Sequence, residues 1–468
     1  MERHFEHIIV LMLENRSFDH MFGFLNHPKK FNGLTGLECN PKSSTDSTKI
    51  FVSKSAKTYI DPDPPHSHEE IIKQINLGIG GKNDGFVHVF AEKKAAKKGK
   101  SDISEIMSVI DPTTPKKCGF IMSELARRFV LCDNYFSSVP GETWPNRNFV
   151  HAATSHGEVD INSKFYHDKT VYEKLEENGF RWHIYHDGPP QTWAFPRLWF
   201  SKIGGFKKFK HFADDIKDDN LPHYSFIEPR HFGIWNKTNN MHPGNNSKDK
   251  DGDFQAAENL VAYIYNLLNT NKKVFNKTLF VVTFDEHGGF YDHVEPPACV
   301  PPDDLMNDEY QFKFDKLGIR VPTILISNKF KSSHIDSTLY DHSSIIKTVL
   351  QNFGIASHLT NRDKNANNII EPNVLQRKKQ KLDEVPLHQV LADNVVRSSK
   401  QEEVVLNEFQ KDLMELTRNV DQVMDPSYQN VLKNIESLDK SVVRGSNVDQ
   451  HQKIDILEVE NRFEAMYK

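Results

Sequence analysis

Five groups able to bind a metal or move a proton fall within nine positions: Asp285, Glu286, His287, Asp292 and His293, with Gly288 and Gly289 between them. They follow L-F-V-V-T-F at 279–284, an apolar and β-branched run that reads as a buried strand. Open α/β sheets place ligands just beyond the carboxyl ends of such strands, and glycines let the chain turn tightly there. The N-terminus repeats the grammar: apolar His7–Leu13 stops at Glu14-Asn15 and runs on as R-S-F-D-H-M-F-G. Two acid-bearing strand ends offer hard oxygen ligands that can converge on one divalent cation. Taken singly, each is also what a helix cap or a polar loop looks like.

Thr143 stands in G-E-T-W-P-N-R, which reads as a fixed loop because Pro145 favours an extended residue before it. A threonine hydroxyl is a weak nucleophile until a base or a metal activates it. Arg147 can hold an anion bidentately, or pair with a nearby carboxylate. Of 23 histidines, His66, His242 and His293 stand out because each neighbours acids, prolines or glycines in a loop. A group titrating near neutrality in such a place can protonate a leaving group.

These residues need elements to position them. Further apolar strands are expected at Val130–Phe136, Arg181–Tyr185, His223–Ile227 and Val321–Ser327, with helices at Ser123–Val130, Phe254–Leu268 and Ser344–Phe353. Strands alternating with helices predict a mostly parallel sheet covered on both faces. Residues 26–65 read as a long surface excursion and 91–100 as a solvated basic helix or loop. F-K-K-F-K-H-F at 206–212 suits either an anionic membrane surface or a half-buried strand or helix. From about residue 362 the composition turns charged and amide-rich. The expected division is therefore a catalytic domain at 1–365 and a helical or partly disordered extension at 366–468.

With 468 residues and 11% aromatics the chain can bury a large core, and a net charge of -5 argues against general nucleic-acid binding. Four scattered cysteines with no C-x-x-C pair give neither a disulfide scaffold nor a structural zinc site. No run is long enough to cross a membrane, and the start has no secretory leader. Those features predict cytoplasmic residence, or export by a route the sequence does not show, with peripheral membrane association left open.

Four blocks in order resemble the signature blocks of the phosphoesterase family: E-N-R-S-F-D-H-M-F-G at 14–23, T-W-P-N-R at 143–147, D-E-H-G-G-F-Y-D-H-V at 285–294 and G-I-R-V-P at 318–322. Connecting pieces look similar too, among them D-P-P-H-S at 63–67, L-P-H-Y-S-F-I-E-P-R at 221–230 and His242-Pro243. The family includes bacterial and plant phospholipases C and a group of acid phosphatases. The resemblance implies an alkaline-phosphatase-like three-layer α/β/α sandwich. It implies metal binding by Glu14, Asn15, Asp285 and Glu286, with Thr143 as nucleophile. It also implies a phosphate pocket lined by Asn146, His66 and His242, with Arg147, His287 and His293 as further substrate-binding or catalytic positions. The expected reaction is phospholipid hydrolysis at a membrane surface through a phosphothreonine. A broad-specificity phosphatase and a non-catalytic membrane-binding module are the alternatives. Oxygen ligands suit calcium, magnesium or manganese, and the resemblance raises zinc.

Overall fold

The computed structural model describes residues 3–78, 82–112, 117–232, 238–244, 250–370, 374–375, 384–385 and 407–424. Ten strands run in chain order: β1 His7–Leu13, β2 Cys39–Pro41, β3 Lys49–Phe51, β4 Val130–Cys132, β5 Trp182–His186, β6 Gly205–Lys208, β7 Tyr224–Glu228, β8 Thr278–Phe284, β9 Thr323–Ile326 and β10 His334–Asp336. β2 and β3 form a separate ribbon within the expected surface excursion, and the other eight make one sheet in the order β10-β4-β9-β8-β1-β7-β5-β6. β9 is antiparallel to both its neighbours, and every other pairing in that sheet is parallel.

The centre of the sheet is apolar on both sides. Ile8 through Leu13 and all seven residues of β8 are buried, so helices and loops cover both faces. Helix Lys250–Thr270 leads into β8 with Ala257, Leu260, Val261, Ile264 and Leu268 buried, the periodicity expected from the sequence. The aromatic–cation segment is edge strand β6 followed by a turn into a short helix, with Phe206 and Phe212 buried.

Register does the positioning. Leu13 lies opposite Phe284, so Glu14 and Asp285 emerge side by side from β1 and β8. Leu11 lies opposite Ile227 on the other flank, which brings Glu228, the last residue of β7, level with Met12. Three acids thus leave one sheet edge from three adjacent parallel strands.

Much of the 366–468 extension lies outside the described residues. The described part includes the Glu408–Met424 helix, whose Phe409, Leu413, Leu416 and Val420 are buried in the same apolar core as β1 and β8. Ile369, Ile370, Val374 and Val385 join that core as well.

Candidate active site

The turns after β1 and β8 are laced together. The Asn15 amide donates to Asp285 Oδ1 at 3.0 Å, and the Arg16 amide donates to the Glu286 carbonyl at 3.1 Å. Asn15 takes a left-handed φ of 58° and Gly288 one of 64°. A Cβ at Gly288 would sit 2.2 Å from the Asn15 carbonyl oxygen, so only glycine permits this approach. Glu14, Asn15, Asp285 and Glu286 all become fully buried. Burial raises the Glu14 carboxyl to about 7 against the pull of Arg147, and raises Asp285 well above its ordinary range. Glu286 moves the other way: burial would raise it, but His66 and His287 outweigh burial and hold it down.

Thr143 is not in a loop. It opens the Thr143–Ala152 helix, where Pro145 falls in the first turn and removes no intrahelical hydrogen bond. Its Oγ1 points to Asn15 Oδ1 at 3.4 Å. The helix N-terminus favours negative charge at that position. Asn146 is committed elsewhere: its side-chain amide donates to the carbonyls of Val139, Gly141 and Glu142, and its Oδ1 accepts from the Val139 amide. It fastens the loop before Thr143 instead of lining a phosphate pocket. Arg147 is likewise committed to protein partners. Its guanidinium donates to Asp285 Oδ2 at 3.2 Å, Glu228 Oε2 at 2.5 Å and the Met12 carbonyl at 3.2 Å. Of the two roles open to it, the structure takes the carboxylate pair.

Two loop histidines face this floor. The Asp63-Pro64-Pro65-His66 segment is locked against the β8 turn, where a Cβ at Gly289 would meet the Pro65 carbonyl oxygen at 2.5 Å. His66 Nδ1 donates to the Pro64 carbonyl at 2.6 Å, which leaves Nε2 for the pocket. Burial would lower its pKa, but Glu286 and Asp63 outweigh burial and lift it to about 9, so His66 is a cation at neutral pH. His242 Nδ1 accepts from the Gly244 amide at 3.0 Å, and burial lowers its pKa. Atoms of Asp63, His66 and His242 able to ligate a metal lie within 4.8 Å of one another. Glu142, next to Thr143, is raised to about 7 by burial. A cavity of about 480 Å³ opens past His66 and Glu142, between Glu70, Lys93, Lys97 and Glu408.

The chemistry of the donors suits a cation. Glu14 Oε2 and Glu286 Oε1 are buried and have no hydrogen-bond donor among the described residues. Such atoms are costly unless an ion meets them. Glu14, Glu286, Asp285 and the Asn15 side chain supply oxygen donors of the kind divalent ions take.

His287 and His293 part company here. His287 lies 3.1 Å from Glu286 Oε2 through Nδ1 and bonds Gln74 Oε1 through Nε2 at 2.8 Å, so it braces Glu286. His293 is not brought to Thr143: it bonds Asp19 Oδ2 at 2.7 Å and Asn32 Oδ1 at 3.1 Å in a second cluster built on Asp292 and Arg320. Sequence reasoning passed over Asp63, Glu228 and His231. Glu228 carried a usable signal, an acid at the end of an apolar strand like Glu14. Asp63 lay inside a quoted motif. His231, which brings Nδ1 to 2.9 Å from Glu14 Oε1, carried none.

The chain matches the Phosphoesterase family over residues 5–356. Non-specific phospholipase C3 of Arabidopsis thaliana is 37% identical over 387 residues, covering 76% of this chain and 71% of that one. Non-specific phospholipase C1 of the same plant is 34% identical over 459 residues, 92% of this chain and 82% of that one. Non-hemolytic phospholipase C of Pseudomonas aeruginosa is 26% identical, covering 75% of this chain and 54% of that one. A solved structure of an alkaline phosphatase superfamily protein from Vibrio parahaemolyticus is similar at a TM-score of 0.35 and 9% identity, covering 76% of this chain and 68% of that one.

Proposed function

The chain belongs to the phosphoesterase family, and from that premise we propose that it is a metal-dependent phospholipase C whose nucleophile is Thr143. One observation carries the assignment. A threonine at a helix N-terminus, 3.4 Å from Asn15, stands beside buried carboxylate oxygens that have no donor of their own. The substrate is a glycerophospholipid met at a membrane surface; no described helix is long and apolar enough to cross a membrane.

Thr143 gives up its hydroxyl proton to bulk water, and its Oγ1 forms a bond to phosphorus as the bond from phosphorus to the glycerol oxygen breaks. Diacylglycerol departs with a proton from His66 Nε2, whose other nitrogen is fixed on the Pro64 carbonyl. The phosphothreonine at the head of the helix is then attacked by water. His66, now neutral, takes the water proton, and the bond from phosphorus to Thr143 Oγ1 breaks, with Oγ1 taking a proton back from bulk water as the phosphorylated headgroup leaves. His242 and the helix N-terminus face the charge on the phosphoryl oxygens. Glu14, Asn15, Asp285 and Glu286 would hold a divalent ion, whose charge would lower the hydroxyl pKa and polarise the phosphoryl oxygen. Zinc is the ion we propose, on the family resemblance; elemental analysis of unsupplemented protein separates it from calcium, magnesium and manganese.

Purified chain given phosphatidylcholine vesicles is expected to release diacylglycerol. Turnover of a soluble aryl phosphate with none of the vesicles would make it a phosphomonoesterase on the same fold.

A further inference from the structure

We infer that Arg147, Glu228, His231 and Phe409 form a support behind the carboxylates that bind the ion, so that the Glu408–Met424 helix is part of the catalytic unit. The inference rests on the metal-binding reading above. It assigns positioning roles to residues that do not touch substrate.

One of the ion-binding acids, Asp285, is hydrogen-bonded from behind, and Glu14 has charged and ring groups close by. Arg147 donates through Nε to Asp285 Oδ2 at 3.2 Å, and its Nη2 lies 3.5 Å from Glu14 Oε1. Its Nη2 donates to the Met12 carbonyl at 3.2 Å and its Nη1 to Glu228 Oε2 at 2.5 Å, and Glu228 is itself fixed by the Gln191 amide on Oε1 at 2.9 Å. Glu228 therefore serves as the anchor that sets where the guanidinium sits. From the other side His231 brings Nδ1 to 2.9 Å from Glu14 Oε1.

The C-terminal helix closes this arrangement. The Phe409 ring meets the His231 ring edge-on at 4.8 Å between centroids and lies 6.0 Å from the Arg147 guanidinium. Gln410 Nε2 donates to the His231 carbonyl at 2.6 Å. Leu413, Leu416 and Val420 are buried one, two and three turns along, which seats the helix. Burying a guanidinium among carboxylates costs more than filling the same volume with apolar side chains. What the ionic arrangement provides, and an apolar plug would not, is a fixed direction for Asp285 and a positive charge beside Glu14.

The test uses the full chain, stripped of metal and titrated with Zn²⁺ and, separately, Mn²⁺ by calorimetry. Removing such an outer partner commonly lowers metal affinity about 10- to 100-fold. Glu228→Gln, nearly the same shape, is expected to fall in that range while the metal-free protein melts close to wild type. Phe409→Ala is expected to weaken binding in the same direction, and Arg147→Lys to retain part of the wild-type affinity. Wild-type affinity in both Glu228→Gln and Phe409→Ala overturns the support and leaves the phospholipase reading standing. A wild-type chain that binds neither ion overturns the metal-dependent reading itself, and the support with it.

Discussion

Two buried knots of charge are built from the same two stretches of sequence and reach opposite outcomes. The stretch after β1 gives Glu14 to one knot and Asp19 to the other; the stretch after β8 gives Asp285 and Glu286 to the first, and Asp292 and His293 to the second. Each knot holds a fully buried arginine, Arg147 or Arg320. In the second knot the donors suffice. Arg320 reaches Asp292 Oδ1 at 2.8 Å and Asp19 Oδ1 at 3.0 Å, the His293 amide reaches Asp19 Oδ2 at 2.7 Å, and the Asp19 amide reaches Asp292 Oδ2 at 3.1 Å. Although its three acidic and histidine groups are close enough to hold an ion, the guanidinium already takes that role. In the first knot Arg147 is shared with Glu228, and Glu14 Oε2 and Glu286 Oε1 have no donor among the described residues. Residue types are alike; the balance of donors against acceptors makes one knot structural and leaves the other open to a cation.

The comparison breaks most visibly at its two ends. Thr143→Ala removes the nucleophile of the open knot, and turnover of phosphatidylcholine should fall at least about a thousandfold. Its one long hydrogen bond to Asn15 is a small loss, so the melting temperature should barely move. Retained turnover would put the nucleophile elsewhere. Arg320→Met does the reverse. Leaving Asp19 and Asp292 buried without their cation should cost about 3–5 kcal/mol in denaturant unfolding. Molecules that remain folded should keep their turnover per active site. Wild-type unfolding for Arg320→Met would mean that the second knot is not structural.

The knots show what could be read in advance. Apolar runs ending in acids marked β1 and β8, and their register makes Glu14 and Asp285 neighbours, so the sheet and its acidic end were legible. Thr143 was visible through its motif, but its place at a helix start was not, because Pro145 suggests an extended residue just where a first helical turn tolerates proline. Arg147, Asn146 and His293 looked alike as polar residues in blocks of chemistry. Where each points depends on contacts distant in sequence: Glu228 for Arg147, Asp19 and Asn32 for His293. Phe409 was unreadable for the same reason, since its neighbours His231 and Arg147 lie far back in the chain.

Metal should separate the knots by a smaller but cleaner amount. An ion that binds only the folded state at about a hundred times its dissociation constant stabilises by about 2.7 kcal/mol. The wild-type chain should melt higher with the ion than in chelator. Asp285→Asn should lose most of that difference. Asp292→Asn should start from a lower melting temperature and keep the difference. A loss of the metal response in Asp292→Asn alone would reverse the assignment of the two knots.

The smallest effect belongs to His293, the exposed rim of the closed knot. Burial works against its proton, but the hydrogen bond and charge of Asp19 outweigh burial and raise its pKa. With the folded value above the unfolded value of about 6.5, its contribution is complete below that pH and is lost as pH rises through the raised folded value. Glu14 gives a fall of stability in the same direction but in a lower window, because its carboxyl, at about 7 when folded, titrates at its ordinary value of 4.5 when unfolded. Total stability therefore cannot isolate His293, whereas the difference between wild type and His293→Gln can, because Glu14 is common to both. That difference, measured by urea unfolding of metal-free protein, should be under about 1 kcal/mol at pH about 5.5 and shrink by pH about 8.5. A difference that does not depend on pH would mean that His293 contributes packing alone and that Asp19 is neutralised by Arg320 without it.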